Sequence, residues 1–91
     1  MYYTYILHSE CDGKLYIGST INLKNRIEKH NKGFVMATKN RRPLKLIYYE
    51  AYLTLADAKR REIFLKGGKG RSELKIQLQN TFHKIKYQFL Y

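Results

Sequence analysis

Tyr16-Ile17-Gly18 is followed eight residues later by Arg26, and four residues after that by His30. These residue types suit chemistry at a phosphodiester. A guanidinium matches two non-bridging oxygens with parallel charge-assisted bonds as negative charge builds on them. A free phenol has a pKa of about 10, so a tyrosine activates water only where a nearby cation favours its phenolate, or it shuttles a proton instead. An imidazole accepts a proton, donates to phosphate, or simply completes a hydrogen bond at a helix end. Each residue also has an ordinary reading: a solvated arginine among 18 Lys and Arg, a sheet tyrosine among nine, a structural histidine. The order and spacing of the three favour function for Tyr16, Arg26 and His30. His8 and His83 have no such surroundings and read as structural or surface residues.

The positioning elements are legible from local signals. Tyr2 to His8 is rich in β-formers, Glu10-Cys11-Asp12-Gly13 is turn chemistry, and Leu15 to Ser19 resumes the β pattern, which makes a hairpin. A two-residue turn at Asp12-Gly13 pairs position 11 with 14, and a loop over 10–13 pairs 9 with 14; both registers put Tyr5 and Tyr16 on one face. Asn22 caps a helix to about Lys32 that turns Leu23 and Ile27 inward, places Arg26 and His30 on an adjoining stripe, and ends at Gly33. Phe34 to Arg42 has no period and reads as a basic surface loop closed by Pro43. Leu44 to Leu53 is a long strand. Thr54 caps a helix to Lys66, with Asp57 at its third position; Lys66-Gly67-Gly68-Lys69-Gly70 is a connection between helices rather than a nucleotide phosphate loop. Gly70 to Asn80 reads as a final helix carrying Leu74, Ile76 and Leu78. The tail from Thr81 to Tyr91 either packs as one more element or waits for a partner.

Tyr3-Thr4-Tyr5, Tyr16-Ile17-Gly18-Ser19-Thr20, Arg26, His30, and a later Glu62 followed by Lys66 together resemble the GIY-YIG nuclease family. The resemblance is firm over residues 3–66 and looser to 80. The second triad is intact, whereas the first matches only through Tyr5, with Tyr3 and Thr4 replacing glycine and isoleucine. The resemblance implies an α+β fold, a small three-stranded antiparallel sheet flanked by about three helices, and metal-dependent hydrolysis of one phosphodiester bond per site. It further implies that a tyrosine hydroxyl helps to activate water, that Arg26 binds the scissile phosphate, and that Glu62 holds a divalent cation. Tyr16 takes the base or shuttle role and Tyr5 a positioning role, although the two can exchange. A late family asparagine finds its nearest counterpart in Asn80. One carboxylate with water and phosphate completing the shell suits Mg²⁺, with Mn²⁺ as a substitute. By spacing alone Glu62 is equally a helix-surface partner of Lys59 and Lys66.

At 91 residues the chain has room for one domain: residues 1–80 read as the nuclease-like unit and 81–91 as a basic aromatic tail. A formal charge of +11 favours polyanions, with DNA as the leading partner and RNA or branched nucleic acid also suited. No segment pairs sustained apolar periodicity with a basic face, so membrane binding is not expected. Lys39, Arg41, Arg42 and Lys45, with Lys59, Arg60, Arg61, Lys66, Lys69 and Arg71, form either one phosphate-tracking face or several separate patches. Cys11 is the only cysteine, which excludes an internal disulfide and a cysteine-based zinc site. That usage and an amino terminus without leader character point to a reducing cytoplasm. The leading expectation is a Mg²⁺-dependent DNA endonuclease. The chief rival is a nucleic-acid-binding module of the same fold with weak or no catalysis, and a basic ribonucleoprotein component is a third reading.

Overall fold

Period-two alternation in the first twenty residues produces a hairpin whose register is set by its turn. In the computed structural model, which describes residues 1–87, β1 (Tyr2–Ser9) pairs antiparallel with β2 (Leu15–Thr20), Tyr5 lying opposite Gly18. Ser9 N donates to Lys14 O at 2.9 Å, so the loop over 10–13 is the one adopted. Its cause is local. The Ser9 hydroxyl accepts from the N–H groups of Cys11 and Asp12, and Gly13 takes a φ of +72°, a left-handed conformation that glycine adopts without steric cost.

α1 (Leu23–Asn31) starts where Asn22 Oδ1 accepts from Asn25 N at 3.0 Å and stops at Gly33, whose φ is +81°. β3 (Leu44–Tyr52) pairs with β1, giving the antiparallel order β2-β1-β3. A register shift between Ile6 and Leu7 lets Tyr48 join Ile6 on one face while Leu46 joins Leu7 on the other. α2 (Leu55–Lys66) is capped by Thr54, which accepts from Asp57 N.

The sheet is covered on both sides. Tyr5, Leu7 and Leu44 pack with Tyr16, Leu23, Ile27 and Leu46 beneath α1. Ile6 and Ile17 pack on the other face with Leu65, Leu74, Leu78 and Phe82. Each fully buried Leu, Ile or Phe side chain contributes roughly 1.5–3 kcal/mol, which fixes the helices that carry the site. Among the described residues β2 is paired on one side only, so its other edge is open to groups arriving from either face.

Two expectations are corrected. The single final helix is two: α3 (Gly68–Gln77) begins two residues early, and a break at Leu78 precedes α4 (Gln79–Lys84). Gly68, Lys69 and Gly70 therefore belong to the first turn of α3, not to a connection. A Cβ on Gly70 would lie 2.0 Å from Phe64 O, so glycine lets α3 dock directly on the end of α2. α4 carries Phe82 into the core. The expected Phe34–Arg42 surface loop contains a 3₁₀ turn, Lys39–Arg41, and buries Val35 and Thr38. The tail from Gln88 onward lies outside the described residues. No described helix is long and apolar enough to cross a membrane.

Candidate active site

Tyr5, Tyr16 and His30 meet under α1. Their rings form a three-way cluster, with centroids 6.3 Å apart for the two tyrosines and 5.8 and 5.0 Å from each to the imidazole. Gly18 makes this possible through space rather than backbone freedom. A Cβ there would stand 2.6 Å from Tyr5 Oη and 3.1 Å from Tyr16 Cε2. The glycine of the intact triad is the floor on which both rings rest.

His30 is fully buried and links two hydroxyls: Nε2 lies 2.9 Å from Tyr5 Oη, and Nδ1 lies 2.7 Å from Thr38 Oγ1. Burial, aided by the Arg26 charge, lowers its pKa to about 4, so the ring is neutral near pH 7. A neutral imidazole has one donor and one acceptor. His30 therefore donates to one of the two hydroxyls and accepts from the other, the tautomer deciding which. Sealed from solvent, His30 has no surface on which to meet a bound molecule directly. Tyr5 itself is 1% exposed, and burial pushes its pKa to about 12 against the opposing effect of Arg26. Tyr16 is half-buried and reaches the open edge.

Arg26 stands over the two phenols. The Tyr5 hydroxyl beside it raises the guanidinium's pKa against partial burial. Its Nε is buried with no hydrogen-bond partner among the described residues. An orphan N–H of this kind costs about 1–3 kcal/mol unless an incoming oxygen accepts from it.

Glu62 reaches the same strand from the other side of the sheet. Ser19, next to Gly18 but pointing to the opposite face, donates from Oγ to Glu62 Oε1 at 2.6 Å. Lys66 Nζ donates to Oε2 at 2.7 Å, and Lys59 Nζ is 3.7 Å from Oε1. Burial works against ionisation, but Lys66 and Ser19 outweigh it and hold the carboxyl below its ordinary value. A cation at this carboxylate suits the donor chemistry: the group is ionised, oriented by a hydroxyl, and already draws two ammonium groups. No cluster of three or more His, Cys, Asp or Glu gathers among the described residues, so Glu62 would be the one side-chain ligand and water and substrate would complete the shell. Mg²⁺, which keeps several waters, tolerates such a site.

The remaining expected residues divide. Asn80 is exposed on α4 and makes no described hydrogen bond to Tyr5, Tyr16, Arg26 or Glu62. Arg41 is bound by the Asp12 carboxylate at 2.6 Å and by Leu15 O, and although burial opposes it, that guanidinium and Lys14 N–H hold Asp12 at a pKa of about 2. Arg42 donates to Lys39 O and lies against Gly33, while Lys39 is exposed. Lys45 faces Glu10 at 3.6 Å. Arg60 bonds Asp57, and Arg61 forks onto Glu50 on the β3 side of α2. Lys66 and Arg71 line a cleft at the β2 edge, and Lys69 is exposed on the first turn of α3. Arg41, Lys45, Arg60 and Arg61 each face a carboxylate, whereas Lys66 and Arg71 share one cleft. Thr38 and Glu50 carry no site signal in the sequence, and Ser19 enters only as part of the motif segment; their partners His30, Arg61 and Glu62 lie 8, 11 and 43 residues away.

The sequence profile described as the GIY-YIG catalytic domain matches residues 1–77. A UPF0213 protein of Pediococcus pentosaceus is 42% identical over 80 residues, covering 87% of this chain and 83% of its own. One of Syntrophus aciditrophicus is 40% identical, covering 86% and 91%, and one of Clostridium perfringens is 34% identical, covering 97% and 95%. The solution NMR structure of a UPF0213 protein from Bacillus halodurans superposes with a TM-score of 0.54 at 28% identity, covering 99% of this chain and 98% of that one. The designation these relatives share names no reaction.

Proposed function

This chain belongs to the GIY-YIG catalytic-domain family, and from that membership we propose that it is a metal-dependent endonuclease that hydrolyses phosphodiester bonds in DNA by direct attack of water. One observation carries the reading: Arg26 keeps a buried Nε–H, without a partner among the described residues, beside a Tyr5–Tyr16–His30 cluster, while Ser19 brings Glu62 to the same edge strand.

The scissile phosphate lies against Arg26, whose orphan N–H gains an acceptor as charge grows on the non-bridging oxygens. Tyr16, the more accessible phenol, takes the proton of the attacking water or passes it on. Tyr5 positions: buried and held by His30, it packs against Tyr16 and beside Arg26. His30 and Thr38 fix that phenol without touching substrate. Glu62 would hold Mg²⁺, or Mn²⁺ in its place. When bound, the ion supplies Lewis-acid stabilisation of the charge on the phosphoryl and leaving oxygens. A P–O bond forms to water as the P–O bond to the leaving strand breaks. A charge of +11 supports a nucleic-acid substrate.

The test is cleavage of end-labelled single-stranded, duplex, flapped and branched DNA and matching RNA, with Mg²⁺, Mn²⁺ or chelator, by the full chain and by Glu62→Ala and Arg26→Ala. Metal-dependent products that both variants lose support the reading. Tight, salt-sensitive binding without products across the panel would instead favour the binding module.

A further inference from the structure

On the open side of β2 lies a cleft of about 180 Å³. Leu15, Ile17 and Leu74 form an apolar floor, the Tyr87 ring adds a wall, and Lys66 and Arg71 stand at its polar side. Tyr16 lines it as well, so the cleft adjoins the proposed cutting site through a shared side chain. We propose that this cleft is a subsite for the sugar–phosphate unit next to the bond that is cut, with the phosphate between Lys66 and Arg71 and the sugar against the apolar floor. The inference rests on the nuclease reading and deepens it.

The chemistry of the lining selects the occupant. A nucleotide backbone unit presents an anion joined to a largely apolar ring face. The cleft presents two cations joined to an aliphatic floor, whereas a free inorganic anion would leave that floor unused. Position follows from the edge strand. Because no described residue pairs with the outer side of β2, residues of both sheet faces reach one opening: Tyr16 from the α1 face, Leu15 and Ile17 from the other. A strand bound along this edge passes from Arg26 on one face toward Lys66 and Arg71 on the other.

The Arg71 backbone is fixed in the first turn of α3, and its side chain lines the cleft. Its N–H donates to Gly67 O at 3.0 Å, closing the first turn of α3, and Gly70 beside it allows the close docking on α2 described above. Lys66 spans both sites, since it lines the cleft and bonds Glu62 at 2.7 Å. The subsite therefore gives the bound strand a direction, because a neighbouring phosphate is held on one side of the cut and not on the other.

The test compares the thymidine dinucleotide TpT, with its one internal phosphate, with pTpT and TpTp, which add a terminal phosphate on opposite sides. Binding to the ¹⁵N-labelled full chain in chelator is followed by amide shifts. One of the two longer probes is expected to bind about tenfold more tightly than TpT, the scale of one charge-assisted phosphate contact, with added shifts at Arg71 and Leu74. Arg71→Ala should abolish that gain and leave TpT binding unchanged, while Lys32→Ala, which removes an equal charge elsewhere, should preserve the gain. The subsite is overturned if neither longer probe gains over TpT, or if the gain survives Arg71→Ala. Failure of the cutting site looks different: TpT then leaves the amides around Arg26 and Tyr16 unmoved.

Discussion

Glu50 and Glu62 point to opposite edges of the sheet, and the contrast between their surroundings separates a clamp from a site. Burial does not distinguish them, since their side chains are 17% and 13% exposed. Both are held below the ordinary carboxylate value by neighbours that outweigh burial. The difference is saturation. Glu50 accepts from the phenols of Tyr48 and Tyr52 and from a forked Arg61, whose guanidinium also stacks over Phe64. Every one of these donors is rigid, planar or half-buried. Glu62 has one hydroxyl and two lysines, both more than half exposed. Ammonium groups on flexible stems can leave a carboxylate when another cation arrives; a bidentate guanidinium between two phenols does not.

The largest effect expected is on catalysis. Glu62→Gln should lower DNA cleavage by at least ~10²–10³-fold, the scale of losing one electrostatic group at a phosphoryl centre, while the melting temperature stays within a few degrees. A cleaving Glu62→Gln variant would remove the distinction drawn above.

Next in size is a stability change with pH. His30 has a folded-state pKa of about 4 against an ordinary 6.5, so between these values the unfolded chain binds the extra proton. Its contribution is complete above pH 6.5 and is lost as pH falls toward 4, about 3 kcal/mol in all. Glu50 and Glu62 both titrate below the ordinary carboxylate value, so denaturant melts from pH 6.5 to 5 isolate the histidine. A flat profile over that interval would contradict a buried neutral imidazole.

Glu50→Gln should cost about 2 kcal/mol of stability, less than a fully buried pair because the clamp is partly exposed, and should leave the cleavage rate intact. Chemical denaturation alongside the cleavage assay reads both. Equal damage to both properties would mean that Glu50 serves the site.

Ser19→Ala removes the hydroxyl that orients Glu62. Metal affinity, measured by calorimetry, is expected to weaken about tenfold, with Ser19→Thr restoring most of it. The smallest effect belongs to Lys59→Ala: its ammonium is more than half exposed and stands 3.7 Å from Glu62, so its loss should change stability by no more than about 0.5 kcal/mol.

The cationic residues show where sequence reading stops. Arg41 and Arg61 look like phosphate contacts in a chain of such charge, yet each is held by a carboxylate through a short ion pair. Leu74 and Phe82 entered the core as their apolar character suggests, whereas Ile76 remains 73% exposed.

By itself the sequence determined what depends on neighbours in the chain. Asn22, Thr54 and Gly33 marked helix ends because caps act within three or four residues, and alternation put Tyr5 and Tyr16 on one face in either register because side chains change sides at every residue. Motif order led to Tyr5, Tyr16, Arg26, His30 and Glu62 together. The tertiary structure alone decided which groups complete them. Ser19 meets Glu62 across 43 residues, and Arg61, the very next residue to Glu62, turns instead to Glu50. Successive positions on a helix diverge by about 100°, so the docking of α2 across the sheet, set by burial of Ala58 and Leu65, determines which carboxylate becomes a clamp and which faces the open edge.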